Sequence, residues 1–95
     1  MRRDEIVAFV EEKAPDADII LFDGLEAAFV GIAERFEPDG HHRVFAVYDY
    51  ERMVEDLVAD GSDYDEAVEY IDFNVIGLYA GETTPAILYR HERES

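Results

Sequence analysis

The order of hydrophobic patterns along this chain predicts an α+β fold: a small antiparallel sheet of about three to four strands, with an N-terminal helix and two consecutive helices packed on it. Three observations lead there. Apolar residues recur at helical spacing over 4–14 and again over 50–78. Short apolar runs bounded by turn residues lie at 19–22, 27–36, 44–48 and 86–89. Only Asp60-Gly61-Ser62 separates the two later helical stretches, so they follow each other directly.

Taken in order, Ile6, Val7, Phe9, Val10 and Ala14 form the apolar side of the first helix, with Glu5, Glu11, Glu12 and Lys13 opposite and Asp4 placed to cap it. Pro15 ends it, and Pro15-Asp16-Ala17-Asp18 reads as a turn. Ile19-Ile20-Leu21-Phe22, stopped by Asp23-Gly24, reads as a short strand. The stretch from 27 to 36 fits a helix at Leu25, Ala28, Phe29, Ile32 and Phe36. Gly31 and the downstream run Val44 to Tyr48, reached across Glu37 to His42, favour a strand paired in a hairpin. Both faces of that strand are largely apolar, which predicts a central strand covered on both sides.

Asp49 is placed to cap a helix from Tyr50 to Ala59 that buries Met53, Val54, Leu57 and Val58, with Gly61 free to take the left-handed conformation that closes it. Asp63 and Glu66 match a capping box for the next helix, in which Tyr64, Val68, Ile71, Val75 and Leu78 recur over about 17 residues, or roughly 25 Å. Ala80-Gly81 ends it. Thr84 before Pro85 is held extended, Ala86 to Tyr89 supplies the last strand, and 90–95 reads as a charged, frayed tail. The whole of 1–95 reads as a single compact domain of the size that buries about 60–65% of its unfolded surface.

Composition bounds the function more than any motif does. The chain has 24 acidic and 8 basic residues, a formal charge of -16, and Lys13 is its only lysine. Disorder is excluded by a hydrophobic content of 48%. With no cysteine, thiol catalysis and cysteine-ligated zinc are excluded too. Two environments account for the acidity: a surface hydrated in concentrated salt, where screening removes self-repulsion, or one built to steer onto a basic partner. The spread of acidic residues along the chain favours the first. The charge sign disfavours direct nucleic-acid binding, and no apolar run approaches a membrane span. Met1-Arg2-Arg3 followed by Asp4 and Glu5 is no signal peptide, so the expected location is the cytoplasm of a host cell, or a virion.

Val47-Tyr48-Asp49-Tyr50, the run Asp63 to Tyr70, Asn74, Gly77 and Gly81-Glu82-Thr83-Thr84-Pro85, with Asp23-Gly24 and Gly31, resemble a widespread group of small proteins encoded by tailed phages, prophages and bacteria. The resemblance spans about residues 18–88. It implies a mobile-element or viral setting and a fold, and no particular activity. The heavy acidity and His41-His42 at the hairpin tip depart from that pattern and point to a haloarchaeal or haloviral member.

Each candidate site has a structural reading beside its functional one. The turn Gly81, Glu82, Thr83, Thr84, Pro85 offers hydroxyls and a carboxylate to a ligand, or simply stops a helix and starts a strand. Asn74, on an apolar stretch, is expected to be buried and to fasten a neighbouring loop. Asp49, followed by Tyr50, is a helix cap first and a ligand second, and Asp23 belongs to the same candidate set. The cluster Asp60, Asp63, Asp65, Glu66, Glu69 and Asp72 fails the calcium-loop spacing, because Gly61 follows the first aspartate directly. His41 and His42 have no third ligand nearby in sequence. No metal site, cofactor or nucleophile is therefore expected.

Three functions remain. The first is a non-catalytic accessory or protein-interaction protein of a halophilic virus, mobile element or host, self-associating as a homodimer through an apolar sheet or helix face. The second is a DNA-mimic-like inhibitor of a host defence or DNA-binding protein, resting on ten acidic residues against Arg52 alone between Asp49 and Phe73. Its partner face would be Glu55, Asp56, Asp63, Asp65, Glu66, Glu69 and Asp72. The third is a metal-dependent enzyme using Asp23, Asp49, Glu69, Glu82 and a histidine.

Overall fold

The computed structural model describes residues 2–76 and 83–91. It has an N-terminal helix, a three-stranded sheet and two further helices, the α+β arrangement expected.

Helix α1 spans Arg3–Lys13. Its cap is Arg2 rather than Asp4: the Glu5 carboxylate accepts the Arg2 backbone N–H at 3.1 Å, while Asp4 lies in the first turn and pairs with the Arg2 guanidinium at 3.2 Å. Placing two carboxylates in that turn suits the positive end of the helix dipole. Ile6 is buried, and Phe9 meets Phe29 edge-on with ring centroids 6.1 Å apart. The helix stops at Lys13, before Pro15, whose missing N–H cannot continue the ladder.

Residues 19–22 are not a strand. Ile19, Leu21 and Phe22 pack on the core without a ladder, and the Phe22 N–H is donated to the Tyr48 hydroxyl at 3.0 Å. A tyrosine 26 positions away thus satisfies a donor that a ladder would otherwise have used. Leu25 then enters the core, and a 3₁₀ turn at Glu26–Ala28 delivers the chain to the sheet.

Strands β1 (Phe29–Phe36) and β2 (His42–Asp49) form the expected antiparallel hairpin, with Ile32 opposite Ala46, Ala33 opposite Phe45 and Phe36 opposite His42. A bulge lies between Phe29 and Gly31. At the tip Gly40 takes φ 92°, a left-handed conformation that a Cβ would disfavour, and the Glu37 N–H closes on the His41 carbonyl at 2.7 Å. The third strand, β3 (Ala86–Leu88), lies against β2 in the order β1-β2-β3. It runs parallel to β2, so the sheet is mixed rather than wholly antiparallel. The two helices between β2 and β3 form the crossover that a parallel pair demands.

This order makes β2 the central strand and β1 an edge, which overturns the expectation of a central β1. Ala46 and Tyr48 turn to the buried face, where the helices gather. On the reverse face Ala33, Phe45, Val47 and Ala86 remain half-buried, and the Arg35 guanidinium lies 5.6 Å from the centre of the Phe45 ring.

Helix α2 spans Tyr50–Ala59, as expected, with Met53 and Val54 buried and Leu57 partly so; Val58 is instead exposed. Gly61 follows at φ 112°. Helix α3 spans Tyr64–Ile71 and carries both halves of the capping box: Asp63 Oδ1 accepts the Glu66 N–H at 2.9 Å, and Glu66 Oε1 faces the Asp63 N–H at 3.4 Å. Its expected 17-residue run gives way to a wider π-helical turn at Asp72–Ile76; Leu78 falls outside the described residues. Met53, Ala67 and Ile71 have no measurable exposure, so truncating Met53 or Ile71 to alanine would cost about 2–5 kcal/mol.

Candidate interaction surface

Among the described residues, Asp49 is the one charged residue that is buried, at 5% exposed. It ends β2 and caps α2, its Oδ1 accepting the Arg52 N–H at 3.2 Å. Its other oxygen, Oδ2, receives the Arg90 guanidinium Nε at 2.6 Å, and a second arginine nitrogen lies 3.6 Å from Glu51. Arg52 in turn reaches the Ala27 carbonyl at 3.4 Å. Asp49 is thereby spent on structure: it joins the start of α2 to the segment after β3. Arg90, expected to begin a frayed tail, is fastened by this pair.

The other candidates are scattered by the fold. Asp23 is exposed and ion-paired with Arg3 at 2.8 Å, tying its turn to α1. Asn74 is exposed rather than buried, and its amide donates to the Tyr70 carbonyl at 3.2 Å within its own helical stretch. Val75, on the same stripe as Ile71, enters the core, and Asn74 one position before it faces outward. Thr83 and Thr84 are half-buried and Pro85 is buried, the arrangement of a strand start; Gly81 and Glu82 lie outside the described residues. Among the described residues no three histidine or carboxylate side chains gather to hold a metal ion. Asp23, Asp49 and Glu69 are therefore not one site.

Ion pairing differs between the two halves of the fold. In the N-terminal half and hairpin, Arg2 pairs with Asp4 and Glu5, Arg3 with Asp23 and Arg35 with Glu37, and the His41 and His42 rings contact Asp39 and Glu34, the latter at 2.8 Å. At the tip, the His41 backbone and ring hold the Asp39 carboxyl below its ordinary value. On α2 and α3 the situation reverses. Among the described residues no ion pair reaches Glu55, Asp56, Asp63, Asp65, Glu66, Glu69 or Asp72, and all but the half-buried Asp56 are exposed. The carboxyl of Asp63 is held below its ordinary value by the Glu66 N–H and side chain. Among the described residues, α2 and α3 thus carry carboxylates that no ion pair neutralises.

Aromatic rings border these carboxylates. Tyr50 lies against Tyr89 with centroids 4.9 Å apart, and Tyr64, Tyr70 and Phe73 are exposed, Phe73 at 82%. Partial burial raises the Tyr50 hydroxyl above its ordinary value, and the charges of Asp72, Tyr89 and Tyr64 push the same way. These aromatics escape a reading by local pattern, although all six tyrosines fall after position 47, in the acidic half of the chain, and that is a legible signal. A second depression of about 460 Å³ lies between the end of α1 and the hairpin, lined by residues that include Lys13, Asp16, Glu34 and His42.

No helix of the described residues is long and apolar enough to cross a membrane. Comparison with protein-family models, curated proteins and solved structures finds no match.

Proposed function

We propose that this chain is a non-catalytic protein-interaction domain whose α2–α3 face docks on a basic partner protein. The observation that carries the reading is that, among the described residues, no ion pair reaches Glu55, Asp56, Asp63, Asp65, Glu66, Glu69 or Asp72, while Arg2, Arg3, Arg35 and Arg90 are paired. Hydration in salt asks only for acidity spread over the surface. Carboxylates left without counter-charge on two consecutive helices additionally steer a positive surface. The same carboxylates support the more particular reading of an inhibitor that occupies the nucleic-acid-binding surface of its target. The viral and halophilic setting rests on the motif resemblance and on the net charge of -16.

The test is binding of a lysine- and arginine-rich peptide at 0.15 M salt, read by fluorescence anisotropy. Neutralising Asp65, Glu69 and Asp72 together, which spares the capping side chains of Asp49, Asp63 and Glu66, is expected to weaken binding at least tenfold. Neutralising Glu11, Glu12 and Asp16 around the end of α1 should weaken it less than threefold. Equal losses would show that net charge alone is at work and would end the reading.

A further inference from the structure

At the edge of the acidic face, a cleft of about 270 Å³ is lined by Tyr50, Glu51, Val54, Glu55 and Tyr64. That is below the roughly 300–1,000 Å³ of pockets for drug-sized ligands, and suits one long side chain. Its chemistry is specific. Two phenol rings offer negative faces that attract a cation, two carboxylates offer acceptors, and Val54, 5% exposed, gives an apolar surface for a methylene stem. Glu55 is reached by no ion pair among the described residues, and Glu51 meets Arg90 only at 3.6 Å. Tyr64 is 65% exposed at the first position of α3, so its ring is committed to no core contact that would remove it from a ligand.

We propose that this cleft seats an arginine side chain of the basic partner, the guanidinium stacked on Tyr64 and Tyr50 and bonded to Glu55 and Glu51. The proposal rests on the acidic-face reading and deepens it by naming the residue type the face selects. A block of carboxylates alone attracts any cation. A ring-walled cleft prefers the flat guanidinium, which stacks on aromatic faces and presents a rigid fork of donors, over the compact and strongly hydrated ammonium of lysine.

The experiment is an NMR titration of the full chain with N-acetyl-arginine amide, and in parallel with its lysine counterpart, at 0.15 M salt. Saturable shifts are expected at the Tyr50 and Tyr64 rings, with arginine binding at least fivefold more tightly than lysine. Tyr64→Leu should weaken arginine binding at least fivefold, and Glu55→Gln, a change on an exposed carboxylate, should do so as well if the leucine variant melts early. Glu12→Gln on α1 should change it less than twofold. Equal affinity for the two amides, or non-saturating shifts spread over α1, overturns the proposal. A basic peptide that binds the wild type and Tyr64→Leu equally, yet needs Asp65, Glu69 and Asp72, leaves the acidic face standing and removes the cleft. Saturable arginine binding with no dependence of peptide affinity on those three carboxylates does the reverse.

Discussion

Removing the Asp49 carboxylate should expose how much of the fold is fastened by one buried charge. Asp49→Ala deletes the cap of α2, an effect of about 1 kcal/mol. It also deletes the charge-assisted bond to Arg90, of the kind worth about 1.5–3 kcal/mol when shielded. Arg90 is 49% exposed, so solvent screening reduces that second contribution to about 1 kcal/mol. The expected total is about 2 kcal/mol, or a melting temperature lower by roughly 8–16 °C for a domain of this size. Asp49→Asn keeps an acceptor for the Arg52 N–H and should lose only about 1 kcal/mol. Arg90→Ala leaves the carboxylate, 7% exposed, without its guanidinium, and should cost at least as much as Asp49→Asn. Urea unfolding followed by circular dichroism measures all three variants, and the Asp49→Ala/Arg90→Ala double variant completes the cycle. If the two single effects add to within about 0.3–0.5 kcal/mol, the residues are not coupled and the fastening role is refuted.

Four further outcomes are expected. Tyr48→Phe keeps the rings packed on Phe22 and Phe29 but orphans the Phe22 N–H, so stability should drop by about 1–2 kcal/mol, and the Phe22 amide should lose protection from hydrogen exchange; unchanged protection would refute the bond. Burial raises the Tyr48 hydroxyl, so the native state holds that proton more tightly than the unfolded chain; the contribution is complete below pH 10 and fades as pH rises through the native value, and a Tyr48→Phe variant should lose that alkaline slope in denaturant titrations. Asp63→Ala should lower the melting temperature at neutral pH, and because the Glu66 N–H holds the native carboxyl below its ordinary value, the gap to wild type should close as pH falls through that lowered value; a constant gap in acid melts would count against the capping charge. Raising NaCl to 1 M shortens the screening length to about 3 Å and should raise the melting temperature through relief of self-repulsion at charge -16; a flat or falling response would remove the electrostatic account.

Local chemistry was legible in the sequence where it acts over three or four residues. The Asp49 and Asp63–Glu66 caps, the turn at Gly61 and the limits of α2 all follow from residues adjacent to the backbone groups they satisfy. Illegible features depend on distant partners. Four apolar residues at 19–22 look like a strand until Tyr48 supplies their hydrogen bond from across the fold. Apolar residues on both faces of β1 look like those of a central strand, and only the placement of β3 beside β2 makes it an edge. Apolar neighbours on both sides make Asn74 look buried, yet of Phe73, Asn74 and Val75 only Val75 lies on the stripe that faces the core. Arg90 sits in a stretch with no periodicity, so its attachment to Asp49 left no mark in the pattern. The acidic face was visible as a dense run of carboxylates, but its lack of counter-ions became apparent only when cations elsewhere were seen to be engaged.

The parallel pairing of β3 with β2 also bears on how the chain reaches its native state. Val47 and Ala86 meet across almost forty residues, whereas the β1–β2 hairpin and the two capped helices form from neighbours in sequence. Closing so long a loop is entropically unfavourable until α2 and α3 have docked and brought its ends together. Three residues of β3 and one arginine then seal the structure at Asp49. This topology predicts an ordered assembly, hairpin and helices before the final strand, in which Arg90→Ala speeds unfolding more than it slows folding if the segment around Arg90 arrives last.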